Sequence, residues 1–328
     1  MKRILVTGAA GFVGRHALAA LSAGTGAADR ILGIGRGRPA VLPERVAYET
    51  VDLLDEAALH ASVAAFRPTD VLHLAAMASV QQSADAPGET WRVNLVGLLN
   101  LAEAVARSAP GAGFLFVSSG EVYGRAFLAG RPLTEAAVPD PQGPYARSKW
   151  FGEAILRDLL AKAEVRLVIL RPFNQIGAGQ DERFVVPSFA GQIARIEAGL
   201  VPPVLAVGNL AAERDFLPVG DVVRAYVDLI GRGATIRDGS VFNIASGQPR
   251  SIASVLADLR RHARVRFEVE VAADRMRPSE IPTASGDVFQ LRMATGWVPR
   301  MDWDEALVEV LVHARKTIEH ATAGQSSV

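Results

Sequence analysis

The sequence predicts an α/β protein with a doubly wound parallel sheet and a smaller, discontinuous C-terminal lobe. Short β-rich apolar runs alternate with segments of helical periodicity from the first residues onward, as in successive βαβ units. These runs show little polar alternation, which is typical of parallel strands that helices cover on both faces. The chain has 328 residues, which exceeds the size at which one core usually stops growing, so two lobes are expected.

The first half of the chain carries this pattern most clearly. Between the predicted strands, apolar residues recur near helical spacing. The first series is Val93, Val96, Leu98, Leu101 and Val105, and the second is Trp150, Ile155 and Leu159. The predicted buried strands cover residues 3–8, 30–35, 70–76, 113–119 and 165–172.

After Pro172 the pattern changes. A helix is predicted around residues 189–198, and Ser251 is predicted to cap an amphipathic helix whose inward side chains are Ile252, Val255, Leu256 and Leu259. A last helix over residues 302–321 precedes a polar tail. We therefore expect a first domain from 1–172 with 214–247, a second from 173–213 with 248–298, and a C-terminal helix and tail over 299–328.

The composition argues against several classes of function. Hydrophobic residues make up 49% of the chain, far more than in disordered proteins. The 35 basic and 35 acidic residues cancel, which argues against binding to nucleic acid or to a membrane surface. The sequence has no cysteine, and its six histidines show no recognised ligand spacing, so no metal site is predicted. Without a membrane-length apolar run or a signal-peptide cleavage site, we expect a soluble, cytoplasmic protein.

A glycine triplet predicts a dinucleotide site at the end of the first strand. In "VTGAAGFVG", Gly8 permits a tight turn, Gly11 lets a pyrophosphate approach the backbone, and Gly14 allows close packing of helix on strand. Phosphates would lie on the amides at the helix N-terminus. The triplet alone is a weak signal, but its place between a strand and a helix favours a Rossmann dinucleotide-binding domain.

The next predicted strand indicates which dinucleotide is bound. NAD-binding domains usually place an acidic residue there to hold the ribose hydroxyls, whereas "GIGRGRP" offers Arg36 and Arg38, which suit a 2′-phosphate. NADP(H) is therefore favoured and NAD(H) stays possible; two solvated loop arginines are the alternative. Asp52 is placed to reach the adenine amine, or is a capping or loop aspartate.

The segment "PYARSKW" predicts the reacting end of the site. Tyr145 and Lys149 are four residues apart on a predicted helix and so share one face. We expect the ammonium to lower the pKa of the phenol, which could then exchange a proton with a ketone or an alcohol. Ser119, at the end of its strand, would hydrogen-bond the same oxygen. A surface pair is the alternative.

Together these motifs resemble the extended short-chain dehydrogenase/reductase family. The N-terminal half carries "TGAAGFVG", "HLAA", "SSGEVYG" and "PYARSK". The later motifs "LRPFNQIGAGQ", "RPSEIPTASGD" and "TGWVPRMDWDEAL" resemble the branch that acts on GDP-mannose derivatives, specifically its GDP-4-dehydro-6-deoxy-D-mannose reductases. The resemblance implies a homodimer that reduces the C4 ketone of GDP-4-keto-6-deoxy-D-mannose with NAD(P)H, giving GDP-D-rhamnose.

The resemblance also implies roles for individual residues. The catalytic triad would be Ser119, Tyr145 and Lys149, with the acid Glu121 nearby. Substrate contacts would come from Asn174, Arg214, Arg277 and Glu280, because arginines suit phosphates and a carboxylate suits a ribose diol. Cofactor contacts would come from Gly8, Gly11, Phe12, Val13, Gly14, Asp52, Leu53, Leu74, Ala75, Ala76, Met77 and Gln175.

Two departures from the family pattern bear on the reaction. Relatives often read "RPFNH-GPGQ", whereas this chain has Gln175 and Ala178. Dehydrating relatives hold an Asp-Glu pair or a Thr-Ser-Glu run where this chain has Ser119, Gly120 and Glu121, so one acid–base group is missing. Since such groups contribute about 10²–10⁴-fold each, water elimination should be slow and simple reduction is favoured.

Three rival functions stay open from the sequence. The first is a GDP-mannose 4,6-dehydratase, or a dual-activity enzyme, that uses Glu121 as its base. The second is an NDP-sugar 4-epimerase with the same triad and a tightly held NAD. The third, a non-catalytic dinucleotide sensor, ranks low because such proteins generally lose the Tyr145–Lys149 pair.

Overall fold

The computed structural model describes residues 1–24, 26, 28–39, 41–276 and 281–325. Its strands are β1 (Arg3–Thr7), β2 (Arg30–Gly35), β3 (Val46–Thr50), β4 (Asp70–His73), β5 (Gly113–Val117), β6 (Arg166–Pro172), β7 (Asn174–Ile176), β8 (Val204–Val207), β9 (Glu213–Pro218), β10 (Ser240–Ile244), β11 (Pro249–Ser251), β12 (Glu268–Val271) and β13 (Thr283–Ala284). Its α-helices are α1 (Phe12–Gly24), α2 (Glu56–Phe66), α3 (Val80–Asp85), α4 (Pro87–Trp91), α5 (Gly97–Ser108), α6 (Gly143–Leu160), α7 (Val185–Glu197), α8 (Val219–Arg232), α9 (Ile252–Arg261), α10 (Phe289–Thr295) and α11 (Trp303–Gln325).

Seven of these strands form one parallel sheet in the order β10-β6-β5-β4-β1-β2-β3. This arrangement confirms the predicted doubly wound fold. The strand order reverses between β1 and β4, and such a switch point opens a crevice at the carboxyl ends of the strands. The predicted site must therefore lie where β1, β4, β5 and β6 end.

Helices cover both faces of the sheet, as the apolar strands required. Along β1, Ile4 and Val6 pack into a core with α1 and α8, whereas Leu5 packs into the opposite core with α2, α5 and α6. All three side chains are fully buried. Each such burial contributes roughly 1.5–3 kcal/mol, so the alternation along one short strand ties both helical layers to the sheet.

The smaller lobe is built around a second sheet and a third core. Strands β11, β9 and β13 lie side by side, with β7 also pairing with β9, while β8 pairs with β12. Helices α7, α9 and α11 pack together over them. Ser251 caps α9 by accepting the amide of Ser254, and the four predicted apolar side chains of α9 are buried, which confirms the prediction for this helix. The predicted assignment of segments to two domains stays a prediction.

Among the described helices, none combines the length and the apolar character that a membrane span would require.

Candidate active site

A cavity of about 720 Å³ lies at the carboxyl ends of the central strands. It begins at the turn after β1, passes the ends of β2, β4 and β5, and reaches the loop after β6 and the start of α7. Its size falls within the range of small-molecule and cofactor sites. The predicted cofactor and catalytic residues therefore come together from distant segments of the chain.

The glycine turn forms one end of this cavity. Gly8 has a φ of +66°, and a Cβ there would lie 2.7 Å from the Ala75 nitrogen. A Cβ on Gly14 would lie 2.3 Å from the Gly8 carbonyl oxygen, so α1 could not approach β1 as closely with any other residue. Gly11 and Phe12 bring the N-terminus of α1 to the cavity wall. This cradle fits a diphosphate, because the first amides of a helix have no partner within the helix and the helix dipole favours an anion at that end.

The cavity ends on one side at the loop after β2. Arg36 and Asp52 both line the wall there and both are exposed. The Asp52 carboxylate accepts a hydrogen bond from the Leu54 amide at 3.0 Å, as expected of an aspartate that stabilises a loop. The hydroxyl of Tyr48 on β3 donates to the Gly37 carbonyl, which ties β3 to the loop that carries Arg36. Neither β3 nor Tyr48 was predicted.

Ser119, Tyr145 and Lys149 converge on the floor of the cavity. Ser119 follows β5 and hydrogen-bonds the Tyr145 side chain, while Tyr145 and Lys149 lie one turn apart on α6. The Lys149 ammonium donates to the Val117 carbonyl at 2.8 Å. Helix α6 is held in place from behind, because Asn94 donates to the Ser148 hydroxyl at 2.9 Å.

The protonation of this triad differs from the expectation that Lys149 lowers the pKa of Tyr145. Burial raises the pKa of Tyr145 to about 12, and the hydrogen bond with Ser119 opposes that rise. Burial lowers the pKa of Lys149 to about 7, while the Glu153 carboxylate opposes that fall. The expectation was wrong for this structure because the ammonium is directed to Val117 and desolvation dominates. The phenol therefore keeps its proton.

Glu121 lies beside the triad at the cavity wall. Its side chain is solvent-accessible there, yet the protein packed around it raises the pKa of its carboxyl above the ordinary value, and the Arg214 guanidinium opposes that rise. Burial in turn lowers the pKa of Arg214. Arg214 donates to the carbonyls of Glu213, Ile281 and Pro282, at 2.7, 3.3 and 3.4 Å.

A buried ion pair behind the triad was missed by sequence reasoning. Glu153, on α6 one turn after Lys149, binds Arg171 of β6 through two hydrogen bonds of 2.9 and 2.7 Å. Ser118 also donates to Glu153, at 2.6 Å. The spacing Tyr145, Lys149, Glu153 continues one helix face in steps of four, and that periodicity is the signal that could have found it.

Most of the other predicted site residues line the same cavity, with five exceptions. Arg38, in the loop after β2, is exposed and lies outside the lining. Met77 lies outside the lining and exchanges hydrogen bonds with Asn94 through its backbone. Arg214 also lies outside it, next to Glu121. Arg277 and Glu280 fall outside the described residues. The residues that do line it are Gly8, Gly11, Phe12, Val13, Gly14, Arg36, Asp52, Leu53, Leu74, Ala75, Ala76, Ser119, Glu121, Tyr145, Lys149, Asn174 and Gln175.

The structure also brings together three potential metal ligands that the histidine spacing did not indicate. Ligand atoms of Glu56 and His60 on α2 and of Glu103 on α5 lie within 4.8 Å of one another. The two carboxylates are exposed, and groups of this kind are common on protein surfaces without a metal. None of the three lines the cavity.

The family model for GDP-mannose 4,6 dehydratase matches residues 5–310. The chain belongs to this family. Its curated relatives include GDP-6-deoxy-D-mannose reductase of Pseudomonas aeruginosa, which is 36% identical over 94% of this chain and 96% of that protein. They also include dTDP-glucose 4,6-dehydratase of Neisseria meningitidis, 28% identical over 97% of this chain and 93% of that protein.

Solved structures show the same fold over nearly the whole chain. RMD from Pseudomonas aeruginosa, complexed with NADPH, has a TM-score of 0.85 at 34% identity and covers 97% of this chain and 100% of its own. UDP-glucose 4-epimerase from Thermus thermophilus, in complex with NAD, has a TM-score of 0.82 at 31% identity and covers 95% of this chain and 99% of its own. Reductases, dehydratases and epimerases thus share this architecture, and the choice among them must rest on the site.

Proposed function

We propose that the protein reduces the C4 ketone of GDP-4-keto-6-deoxy-D-mannose to GDP-D-rhamnose, with Tyr145 as the proton donor. The observation that carries this proposal is the convergence of Ser119, Tyr145 and Lys149 in the cavity beside a single carboxyl. The phenol of Tyr145 has a pKa of about 12 and so holds a proton at working pH, which is what a reduction consumes. One carboxyl, Glu121, lies beside it, and position 120 is a glycine without a second acid–base group.

Each member of the triad has a distinct task. Tyr145 gives its proton to the carbonyl oxygen as that oxygen gains negative charge. Ser119 hydrogen-bonds Tyr145 and so lies within reach of the same oxygen. Lys149, when charged, stabilises the phenolate that Tyr145 leaves behind, because an ammonium nearby favours the charged form of a phenol. Glu121 orients the sugar.

A reduced nicotinamide coenzyme would supply the hydride. The glycine cradle of Gly8, Gly11 and Gly14 would hold its diphosphate, and Arg36 at the far wall favours NADPH over NADH because a guanidinium suits a 2′-phosphate. The P. aeruginosa structure with NADPH supports this choice. Asn174 would contact the substrate, and Gln175 would contact the coenzyme.

The nucleotide of the substrate would lie toward the smaller lobe. Arg214, together with Arg277 and Glu280 beyond the described residues, would hold the diphosphate and the ribose. The reductase relative at 36% identity supports a guanosine diphosphate sugar. As the family resemblance implies, we also expect a homodimer in the cytoplasm.

One product analysis tests the proposal. Purified protein is offered GDP-4-keto-6-deoxy-D-mannose with NADPH or with NADH, and the sugar product is identified by NMR. We expect GDP-D-rhamnose, formed with one coenzyme oxidised per sugar and faster with NADPH. If the ketone is recovered unchanged with both NADPH and NADH, the proposal is contradicted.

A second candidate is a GDP-mannose 4,6-dehydratase, alone or combined with the reductase. The observation in its favour is Glu121, because a raised pKa at the cavity wall suits a general acid or base. Incubation with GDP-mannose and NADP⁺ separates the two: rapid loss of water without added reductant favours the dehydratase. An epimerase would instead interconvert UDP-sugars with no added coenzyme.

A further inference from the structure

The loop of residues 177–180, which follows β7, is hydrogen-bonded to helix α1. The His16 imidazole donates from Nε2 to the Ala178 carbonyl at 3.1 Å, and the Arg15 guanidinium donates to the Gly179 carbonyl at 3.2 Å. Arg15 also donates to the Ala10 carbonyl at 2.9 Å, so one side chain joins the glycine turn after β1 to this loop. Two neighbouring residues of α1 therefore hold the 177–180 loop.

The shape of the loop allows this close approach. A Cβ on Gly177 would lie 2.5 Å from Val219 Cγ1 and 3.2 Å from Phe12 Cζ. Gly179 has a φ of +83°, a conformation that residues with a side chain rarely adopt. The His16 ring packs edge-on against Phe12, with ring centroids 5.3 Å apart. The loop carbonyls are thereby presented to the two donors on α1.

The hydrogen-bonded contact has a part of the cavity at each end. On the side of α1, Gly11 and Phe12 line the end that fits a diphosphate. On the other side, Asn174 and Gln175 of β7 line the cavity immediately before the loop. The Gln180 side chain donates to the Gln175 carbonyl at 2.9 Å, which ties the end of the loop back to β7. Arg15 and His16 thus connect the cradle for the coenzyme with the strand that is expected to contact the substrate.

We propose that Arg15 and His16 are positioning residues, which hold β7 and its loop against α1 and so fix the sugar ketone relative to the nicotinamide. This inference rests on the proposed reductase function. The coenzyme would be held by α1 and the sugar by β7, so neither residue needs to touch the reacting atoms. Hydride transfer requires the two reacting carbons to be close and aligned, and a displacement of about 1 Å can lower the rate by about 10²-fold.

The test compares variants that keep the packing and lose the donors. Arg15→Met keeps the aliphatic stem, and His16→Phe keeps a ring beside Phe12. His16→Gln retains an N–H donor and serves as the rescue variant. His313→Phe is the matched control, because His313 lies 3.9 Å from the place of a Cβ on Gly179 but donates no hydrogen bond to the loop among the described residues.

A single-turnover measurement separates positioning from folding. Protein with one equivalent of NADPH is mixed with saturating GDP-4-keto-6-deoxy-D-mannose, and the oxidation of NADPH is followed. We expect the rate constant of the double variant Arg15→Met/His16→Phe to fall by about ten- to a hundredfold, with its amplitude retained. The control should stay within about twofold, and His16→Gln should recover most of the loss that His16→Phe causes. A misfolded fraction would lower the amplitude instead.

Hydrogen exchange of the protein without ligands gives a second readout that does not depend on turnover. The Gln180 amide donates to the Gly177 carbonyl at 3.3 Å, and its exchange should become about fivefold faster in the double variant and stay unchanged in the control. Unchanged exchange, an unchanged rate constant, or a loss confined to the amplitude would overturn the inference. A wild-type protein that oxidises no NADPH would contradict the proposed function instead, and the exchange measurement would still decide whether Arg15 and His16 hold the loop.

Discussion

At the scale of single residues, two neighbouring side chains on the floor of the cavity have different roles. One holds a proton, and the other stabilises the charge that remains when that proton is lost. Tyr145 is protonated because burial raises its pKa to about 12. Lys149 lies one turn away and is directed to the Val117 carbonyl, so in this structure it does not acidify the phenol. The two side chains thus cooperate only once charge develops on Tyr145.

Replacing Tyr145 with Phe should remove the proton donor and leave the cavity nearly unchanged in shape. We expect kcat to fall by about 10²–10⁴-fold, the usual contribution of a positioned acid. The KM for the coenzyme should stay within about twofold, because the glycine cradle is untouched. Steady-state kinetics with NADPH measure both, and a kcat near the wild-type value would remove Tyr145 from its role.

The pH dependence should report Lys149. Its pKa of about 7 means that the ammonium is present below pH 7 and lost above it, while Tyr145 stays protonated across this range. We expect kcat/KM for the coenzyme, which reports the coenzyme-free enzyme, to fall as pH rises through about 7. Lys149→Met should be slow and lack this decline. A flat wild-type profile between pH 6 and 9 would contradict the assignment.

The lowered pKa of Lys149 also predicts how the stability of the protein depends on pH. Because the folded-state pKa of Lys149 lies below its ordinary value, the unfolded chain binds more protons between about pH 7 and about 10. The contribution of Lys149 to the free energy of unfolding should therefore rise with pH across that window. Urea unfolding of the wild-type protein and of Lys149→Met at pH 7 and pH 9 measures this contribution as the difference between their free energies of unfolding. An equal difference at both pH values would count against the lowered pKa of Lys149.

At the scale of elements, α6 is fastened to the sheet by a buried ion pair. Glu153 is fully buried and Arg171 nearly so, and their two hydrogen bonds join α6 to β6 behind the triad. The guanidinium also lies 4.9 Å from the centroid of the Tyr123 ring. The pair thereby fixes the position of Lys149.

Replacing one member of this ion pair should lower the free energy of unfolding more than replacing both members together. Glu153→Ala leaves a buried guanidinium unpaired, so we expect the free energy of unfolding to fall by about 3–5 kcal/mol. Glu153→Met combined with Arg171→Met should lose less, because no charge is left buried. Urea denaturation of the single and double variants decides this, and a double variant as unstable as the sum of both single changes would contradict it.

On the proposed preference for NADPH, we expect strand β3 to affect coenzyme choice through Tyr48. Its hydroxyl holds the Gly37 carbonyl in the loop that carries Arg36. Tyr48→Phe removes a hydrogen bond worth about 0.5–1.5 kcal/mol, so the KM for NADPH should rise by about two- to tenfold. NADH lacks the 2′-phosphate and serves as the internal control. An equal rise for both coenzymes would show that Tyr48 does not act through Arg36.

The elements with strong periodicity could be predicted from sequence, and those set by tertiary contacts could not. Five central strands, the cap at Ser251 and the Tyr145–Lys149 turn all follow from local patterns. Strand β3 is short and half-exposed, so it carries no apolar run. Val96 was expected to continue a helical stripe but is 45% exposed, because residues Arg92–Val96 form a π-helical turn that changes the register.

At the scale of the whole molecule, the fold brings one lobe's glycine cradle and the other lobe's loops to a common cavity. The position of Phe173 between Gly120 and Gly286 joins residues far apart in the sequence, so no local pattern could predict it. The sequence motifs predicted most of the residues that meet there, but Met77 and Arg214 lie outside the lining of the cavity. The structure adds that the Phe173 ring packs beside Gly120, where a Cβ would lie 3.1 Å from two of its carbon atoms.

The central claim is that hydride reaches C4 of a sugar ketone while Tyr145 supplies the proton. The most direct measurement offers GDP-4-keto-6-deoxy-D-mannose with NADPH that carries deuterium at the transferable position of nicotinamide C4. We expect one deuterium at C4 of the deoxysugar for each coenzyme oxidised, with Tyr145→Phe suppressing its appearance. Deuterium at C6, or a product formed without net oxidation of the coenzyme, would contradict the claim.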